Sequence, residues 1–440
     1  MSGPSRASEA AGAPRVGAGL PAAVLPGFLA ASGRLPGVGP AEGGPCAHSS
    51  SGPIDFWSWG LDPLPGDDLA VTVSRVVRDT RGSVPADRVA ALLRSDPAAL
   101  TRLLPPFGAV SVRGEQVTAV ADSMGFQHLF HTAPGQGPAP LLSSSCLVAG
   151  RAAAAALDET AVAVQSLLGW QLGQRTLLTG IGKLAPGSLA HLGADGVRVT
   201  APAPTAREPI GLDQAVAEAA VLLRTSLEAL LDDHPGAVLQ LTGGMDSRLL
   251  LSAIPERRRA GLRAMTLEVP GTGDVAIARA IADRYGIRHE VHGLADVRDV
   301  RPEEAWQLCL ADATRLDAMA DPVALAAQRV AERAFEQGVR ISGLGGEIAR
   351  GFYYVGQVRD RPYTRADAEQ LAGWRMFVNE AVEPGLLTDE FAGWAREVAT
   401  TEVYEALLGG GEEWFRAADE LYVRHRMQRW AGATDTAVSN

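Results

Sequence analysis

Two apolar runs in the second half of the chain end in the same way, and that repetition constrains the fold more than any other feature. "VLQLTGGMDSRLLLSAI" (238–254) passes from a strand pattern into Thr242-Gly243-Gly244, then into a helix opened by Asp246 and Ser247. "VRISGLGGEIARGFYY" (339–354) repeats the plan with Ser342, Gly343 and Glu347. Around these stretches strands and helices alternate. The pattern predicts a helix over 212–231, a strand over 237–241, a helix from about Asp246 and a strand over 262–269. A helix over 274–286 and a strand over 288–292 follow, then helices near 302–315 and 322–337 and a strand over 339–342. Such alternation implies an α/β class with a parallel sheet covered on both faces.

In sheets of this kind ligands bind beyond the carboxyl ends of the strands, where loops lead into helix N-termini. The first backbone N–H groups of a helix lack intrahelical partners, and the helix dipole favours anions. Gly243 and Gly244 let a phosphate approach the backbone where a Cβ would collide with it. Asp246 suits a magnesium ion, which takes one or two carboxylates plus phosphate oxygens. A tight turn with Asp246 or Ser247 as helix cap explains the first stretch equally well. The second stretch tips the balance, because two parallel strands would aim Asp246 and Glu347 at one metal-bound polyphosphate. No lysine follows either glycine cluster, so neither is a Walker A sequence.

Composition narrows the function classes. A net charge of −11 argues against nucleic acid as a partner, and no apolar run is long enough to span a membrane. Lys183 is the single lysine, so the basic residues are almost all arginine. Cys46, Cys146 and Cys309 are odd in number and far apart, which fits neither a disulfide framework nor a zinc site and suits a cytoplasmic protein. "HEVH" (289–292) is no metalloprotease motif, since His289 and His292 stand three apart on an expected strand. They are expected at the surface or a sheet end.

The first half reads differently. Residues 1–53 are rich in Gly, Pro and Ala and are expected to be a disordered extension. From 54 to 200 the pattern is strand-rich, with a hairpin around Arg113-Gly114-Glu115 and helices at 85–94 and 150–170. Residues 201–211 read as a linker, and 212–440 as the second domain.

"LTGGMDSR" resembles the pyrophosphate loop of the ATP-pyrophosphatase fold, with Thr242 in the first Ser position. "SGLGGEI" resembles the second motif of the asparagine synthetase family. "FGAVSVRGEQVTAVADSMGFQHLFH" and "GIGKLAPGSLAHL" resemble that family's glutaminase-like half. The resemblance implies an N-terminal Ntn-hydrolase-like α/β sandwich and a C-terminal Rossmann-like ATP-pyrophosphatase domain. It implies MgATP as co-substrate, adenylation of a carboxylate and attack by an amine. Gly243 and Gly244 would then cradle pyrophosphate, Thr242 would belong to the same nucleotide-binding loop, and Ser247 would hydrogen-bond phosphate. Asp246 and Glu347 would hold Mg²⁺, Ser342 and Gly343 would approach the α-phosphate, and the backbone at Met265, Thr266 and Leu267 would border adenine.

Three departures refine the expectation. Glutamine-dependent members begin with a nucleophilic cysteine, whereas this chain begins Met1-Ser2-Gly3. The first domain is therefore expected to be a scaffold without glutaminase activity. Leu344 stands where asparagine synthetases carry an acid and β-lactam synthetases a tyrosine. The family's phosphate-binding lysine has no counterpart in the second half. Arg248, Arg350 or Arg424 would substitute, or the chain stops short of the full domain, which is the expectation adopted. With an apolar residue at 344 the second motif most resembles lasso-peptide macrolactam synthetases. That resemblance implies a peptide substrate, with a leader-peptide protease and a precursor-recognition protein as partners. A small carboxylate amidated by ammonia, or a non-catalytic nucleotide- or peptide-binding paralogue, are the alternatives. The aromatic and basic stretch 351–365 is expected to be packed loop, with a substrate wall as the functional alternative.

Overall fold

The structure is a computed structural model and describes residues 25–35, 46–74, 76–202, 209–331, 333, 338–354, 359–379 and 387–434. The first half is built on two antiparallel sheets. In chain order its main strands are β1 (Gly27–Ser32), β2 (Cys46–Ser51), β3 (Ile54–Trp59), β4 (Leu69–Thr72), β5 (Gly108–Arg113) and β6 (Gln116–Ala121). They continue as β7 (Phe130–Thr132), β8 (Leu141–Ser143), β9 (Ile181–Lys183), β10 (Leu189–Gly193) and β11 (Gly196–Thr200). One sheet has the order β9-β7-β8-β1-β3-β2 and the other β11-β10-β6-β5-β4.

Alternation along the strands decides what each face meets. Phe28, Ala30 and Phe56 of the first sheet pack against Val71, Val110 and Val117 of the second. On the far side of the second sheet, Ala109 and Val120 meet Val89, Ala90 and Leu93 of α1 (Ala86–Ser95). On the far side of the first, Leu29, Phe130 and Leu141 meet α2 (Cys146–Ala152) and α3 (Glu159–Leu168). The order is helix, sheet, sheet, helix.

The expected disordered extension over 1–53 is corrected here. β1 lies inside the six-stranded sheet between β8 and β3, and β2 forms its edge. The run "GFLAAS" is buried at Gly27–Ala31, so it lacks the alternation that marks a half-exposed strand. Residues 1–24 and 36–45 lie outside the described residues, as do 203–208 of the expected linker.

The second half opens with α4 (Leu212–Asp233) and then forms a parallel sheet from β12 (Val238–Gln240), β13 (Arg263–Glu268), β14 (Arg288–Gly293) and β15 (Arg340–Ile341). Their order is β14-β13-β12-β15. One face carries Leu239, Leu241 and Ala264 against α4, α5 (Met245–Ala253) and α6 (Asp274–Tyr285). The other holds a small cluster of Val238 and Met265 beside Leu267, so the expected cover on both faces is substantial on one. The chain steps outward from β12 to β14, then returns to the opposite side of β12 at β15. This switch point lies between the strands that carry the two glycine turns, where sheets of this class open a crevice.

After α7 (Pro302–Arg315) and α8 (Val323–Ala331), the chain adds α9 (Arg365–Leu371), α10 (Asp389–Gly410) and α11 (Trp414–Leu421). The last runs on as a π-helical segment, Tyr422–Ala431. Leu421, Tyr422 and Ala431 belong to the same buried cluster as Leu29 and Trp170, so the two halves share a core. Polar contacts reinforce the seam. Arg429, fully buried, donates to the Gly173 carbonyl (3.0 Å) and the Arg175 carbonyl (2.6 Å). Asp317 accepts from Ser145 Oγ (2.6 Å), from Leu147 N (3.1 Å) and from Cys146 N.

Candidate active site

The first glycine turn leaves β12 and enters α5 with Gly244 as the residue before the helix, lacking any side-chain cap. The loop ties itself together. Thr242 N donates to Ser247 Oγ (3.1 Å), and Gly244 N donates to Thr242 Oγ1 (3.0 Å). Ser247 is buried, and its hydroxyl faces back into the turn rather than outward. It ties the loop together at the place where the sequence suggests a phosphate contact.

The second glycine turn leaves β15 and packs directly on the first. A Cβ on Gly346 would stand 2.6 Å from Asp246 Cγ, and one on Gly343 would stand 2.9 Å from Ser247 N. These positions tolerate no side chain because the second turn approaches the start of α5 at backbone distance. Gly345 has a φ of +92°, which a residue with a side chain rarely adopts. The two motifs, far apart in sequence, are thus brought into one place.

Each acid has a partner. Arg350 Nη2 donates to Asp246 Oδ2 at 2.5 Å. Glu347 Oε2 accepts from Tyr422 Oη (2.7 Å) and from Gly345 N (3.1 Å). Burial pushes the Glu347 carboxyl up, but the Tyr422 hydrogen bond, backbone N–H groups and the nearby Arg426 charge together hold it below its usual range. Of the other arginines, Arg248 Nε donates to the Gly244 carbonyl (3.1 Å) and Arg424 pairs with Glu420 one turn away. Among the three, the structure places Arg350 on a site carboxylate. Among the described residues no group of three or more His, Cys, Asp or Glu side chains forms a metal cage. A site of two carboxylates beside backbone N–H groups fits Mg²⁺ carried in by a polyphosphate, which keeps most of its ligands from phosphate and water.

Other expected residues fall less simply. Met265 and Thr266 are fully buried, and Thr266 Oγ1 donates to the Leu241 carbonyl (2.6 Å). Leu267 is partly exposed near the strand end. Ser342 is exposed, and its Oγ accepts from Leu344 N (3.2 Å). His289, expected at the surface or a sheet end, is half-buried on the edge strand β14, with its Nε2 2.7 Å from Thr266 Oγ1.

Two residues were not anticipated. Asp274 opens α6 and accepts from Gly243 N at 2.8 Å, so it fixes the first glycine turn from the start of a neighbouring helix. Its signal is present in "LEVPGTGDVAIA" (267–278), a third strand–glycine–acid–helix unit. Tyr422 has no such local signal, because its role depends on how the C-terminal helix docks.

Burial pushes all three cysteine thiols up, with Asp317 adding to the effect at Cys146, and Asp312 and Asp321 at Cys309. A nucleophilic thiolate needs the opposite shift.

No curated protein matches the chain. Matching solved structures include an allosteric regulatory enzyme of purine biosynthesis, with 9% identity over 61% of this chain and 75% of that one, and a TM-score of 0.25. Another is glutamine phosphoribosylpyrophosphate amidotransferase from B. subtilis complexed with ADP and GMP, with 9% identity over 62% and 75% and a TM-score of 0.26. Likenesses this distant carry no weight for fold or chemistry. The family comparison does: residues 218–432 match the model for asparagine synthase, a span that holds both glycine turns, Asp274 and Tyr422. Residues 218–432 thus match the asparagine synthase model, that of a family of ATP-dependent carbon–nitrogen ligases that form AMP and pyrophosphate.

Proposed function

We propose that the protein adenylates a carboxylate at the switch point and couples it to an amine held within the same substrate, closing a macrolactam in a peptide. The observation that carries the adenylation reading is the contact between the two glycine turns, which puts Asp246 under Gly346 and Glu347 one residue on. A carboxylate oxygen attacks the α-phosphorus of ATP and pyrophosphate leaves. The amine nitrogen then attacks the acyl carbon, AMP leaves with the bonding electrons, and the amine gives up a proton.

Asp246 and Glu347 would hold Mg²⁺, whose charge offsets that developing on the leaving pyrophosphate. The exposed N-terminus of α5 at Gly244 would face the phosphates. Arg350 would exchange Asp246 for a phosphate oxygen and take the place of the family's lysine. The intramolecular amine is favoured by two features. Burial pushes the cysteine thiols up, away from the thiolate that would release ammonia from glutamine, and Leu344 packs against the shared core where small-substrate relatives carry a polar group. A tethered amine gains effective concentration without a supply of ammonia.

The test uses short peptides bearing a free N-terminus and an internal Asp or Glu, drawn from genes beside this one. With MgATP, mass spectrometry should show loss of one water, stoichiometric AMP, and no reaction once the N-terminus is capped. Efficient amidation of aspartate by ammonia, with every peptide unchanged, would replace this reading with asparagine synthesis.

A further inference from the structure

Beside Glu347 lies a group of side chains that the adenylation chemistry does not use. Phe352 carries two guanidinium groups against its ring: Arg375 at 5.2 Å and Arg426 at 5.0 Å from the centroid. Each arginine is also stacked on a tryptophan, Arg375 on Trp374 at 4.0 Å and Arg426 on Trp430 at 4.7 Å. Among the described residues neither guanidinium is in a salt bridge. Arg375 and Trp374 are exposed, while Phe352, Arg426 and Trp430 are half-buried, so the group opens to solvent.

Its position ties it to the site. The Phe352 ring lies 5.6 Å from that of Tyr422, whose hydroxyl holds Glu347. Arg426 is near enough for its charge to act on the Glu347 carboxyl. Two rings, Phe352 and Tyr422, therefore link the guanidinium pair to the residue expected to hold Mg²⁺.

A guanidinium stacked on aromatic rings is fixed in orientation and presents its N–H edge outward, the arrangement that grips a carboxylate bidentately. The ordering cost that free arginines would bear on binding is already met by the stacking. Resting on the adenylation reading, we propose that Arg375 and Arg426, stacked on Phe352, form the subsite that receives the substrate's carboxylate. The substrate class follows: an Asp- or Glu-like carboxylate flanked by apolar or aromatic groups that pack on Trp374 and Trp430.

Calorimetry on the full-length protein tests this with N-acetylated, C-amidated tripeptides carrying Phe beside a central Asp, Glu or Asn. The Asp and Glu peptides should bind in the millimolar range or tighter, and the Asn peptide at least tenfold more weakly. Arg375→Gln and Arg426→Gln should each weaken the acidic peptides at least tenfold, and Arg426→Lys should recover part of the loss. Binding of MgATP alone should persist in all three variants, which also reports that they are folded. Equal binding of Asp and Asn peptides, no acidic peptide binding at millimolar concentration, or wild-type affinity in both Gln variants would each overturn the subsite. Equal competition by inorganic phosphate would do so too, since it marks a general anion site. If acidic peptides bind through these arginines but MgATP does not bind, the adenylation reading fails while the subsite stands.

Discussion

At the scale of single residues, the arrangement around Asp246 depends on which charge it faces. Arg350 covers the carboxylate that is expected to hold a metal, and the pair is partly exposed, so its own contribution to stability is small, about 0–1 kcal/mol. Its effect on the ion is larger, because a cation approaching Asp246 must first displace another. Arg350→Gln should therefore raise the affinity of the nucleotide-free protein for Mn²⁺ several-fold while lowering its affinity for MgATP. Paramagnetic resonance of Mn²⁺ measures the first and nucleotide titration the second. Unchanged Mn²⁺ binding contradicts the account of this pair. Asp246 and Glu347 were legible in the sequence because each is set by a local pattern of glycine, acid and helix. Their partners were less so: Arg350 was one of three arginines, and the turn geometry alone decides among them.

At the scale of elements, the alternation of strands and helices after residue 212 was readable because each strand is short, apolar and followed by a turn signal. β1 was not, since a strand covered on both faces has no period of two, and prolines and glycines surround it. Ser247 is placed near phosphate by the motif, and the fold adds a contact the motif does not show, a hydrogen bond from Thr242 N to its hydroxyl. The role of the third strand–glycine–acid unit is not legible locally, because its acid serves the first turn from the start of another helix. Asp274 holds Gly243 N from the start of α6, a hydrogen bond from a backbone donor to a charged acceptor, contributing roughly 1.5–3 kcal/mol. Asp274→Ala should loosen the turn, raise the KM for MgATP about tenfold or more and lower the thermal midpoint by a few degrees. Steady-state kinetics at fixed substrate check this, and an unaltered KM would remove Asp274 from the site.

At the scale of the whole molecule, the N-terminal half is tied to the synthetase half through a shared core and through Asp317. That carboxylate, pushed up to about 6 by burial despite hydrogen bonds from Ser145, Cys146 and Leu147, couples the seam to pH. A raised folded pKa means the native state binds more protons than the unfolded chain between roughly pH 4 and 6. The contribution is fully present below that window and is lost as pH rises through it. The stability of wild type relative to Asp317→Asn should thus fall by up to about 3 kcal/mol between pH 4 and pH 7. Denaturant melts of both proteins across that range measure it, and a difference independent of pH contradicts the burial of this group.

The central claim is that two glycine turns at one switch point make an adenylation site, and substrate-dependent exchange of labelled pyrophosphate into ATP tests it most directly. The wild-type protein should catalyse exchange only when a carboxylate substrate is present. Asp246→Ala and Glu347→Ala should each reduce the rate at least a hundredfold, since each removes one anionic ligand from the ion that neutralises the leaving pyrophosphate. Exchange at the wild-type rate in both variants would contradict the account.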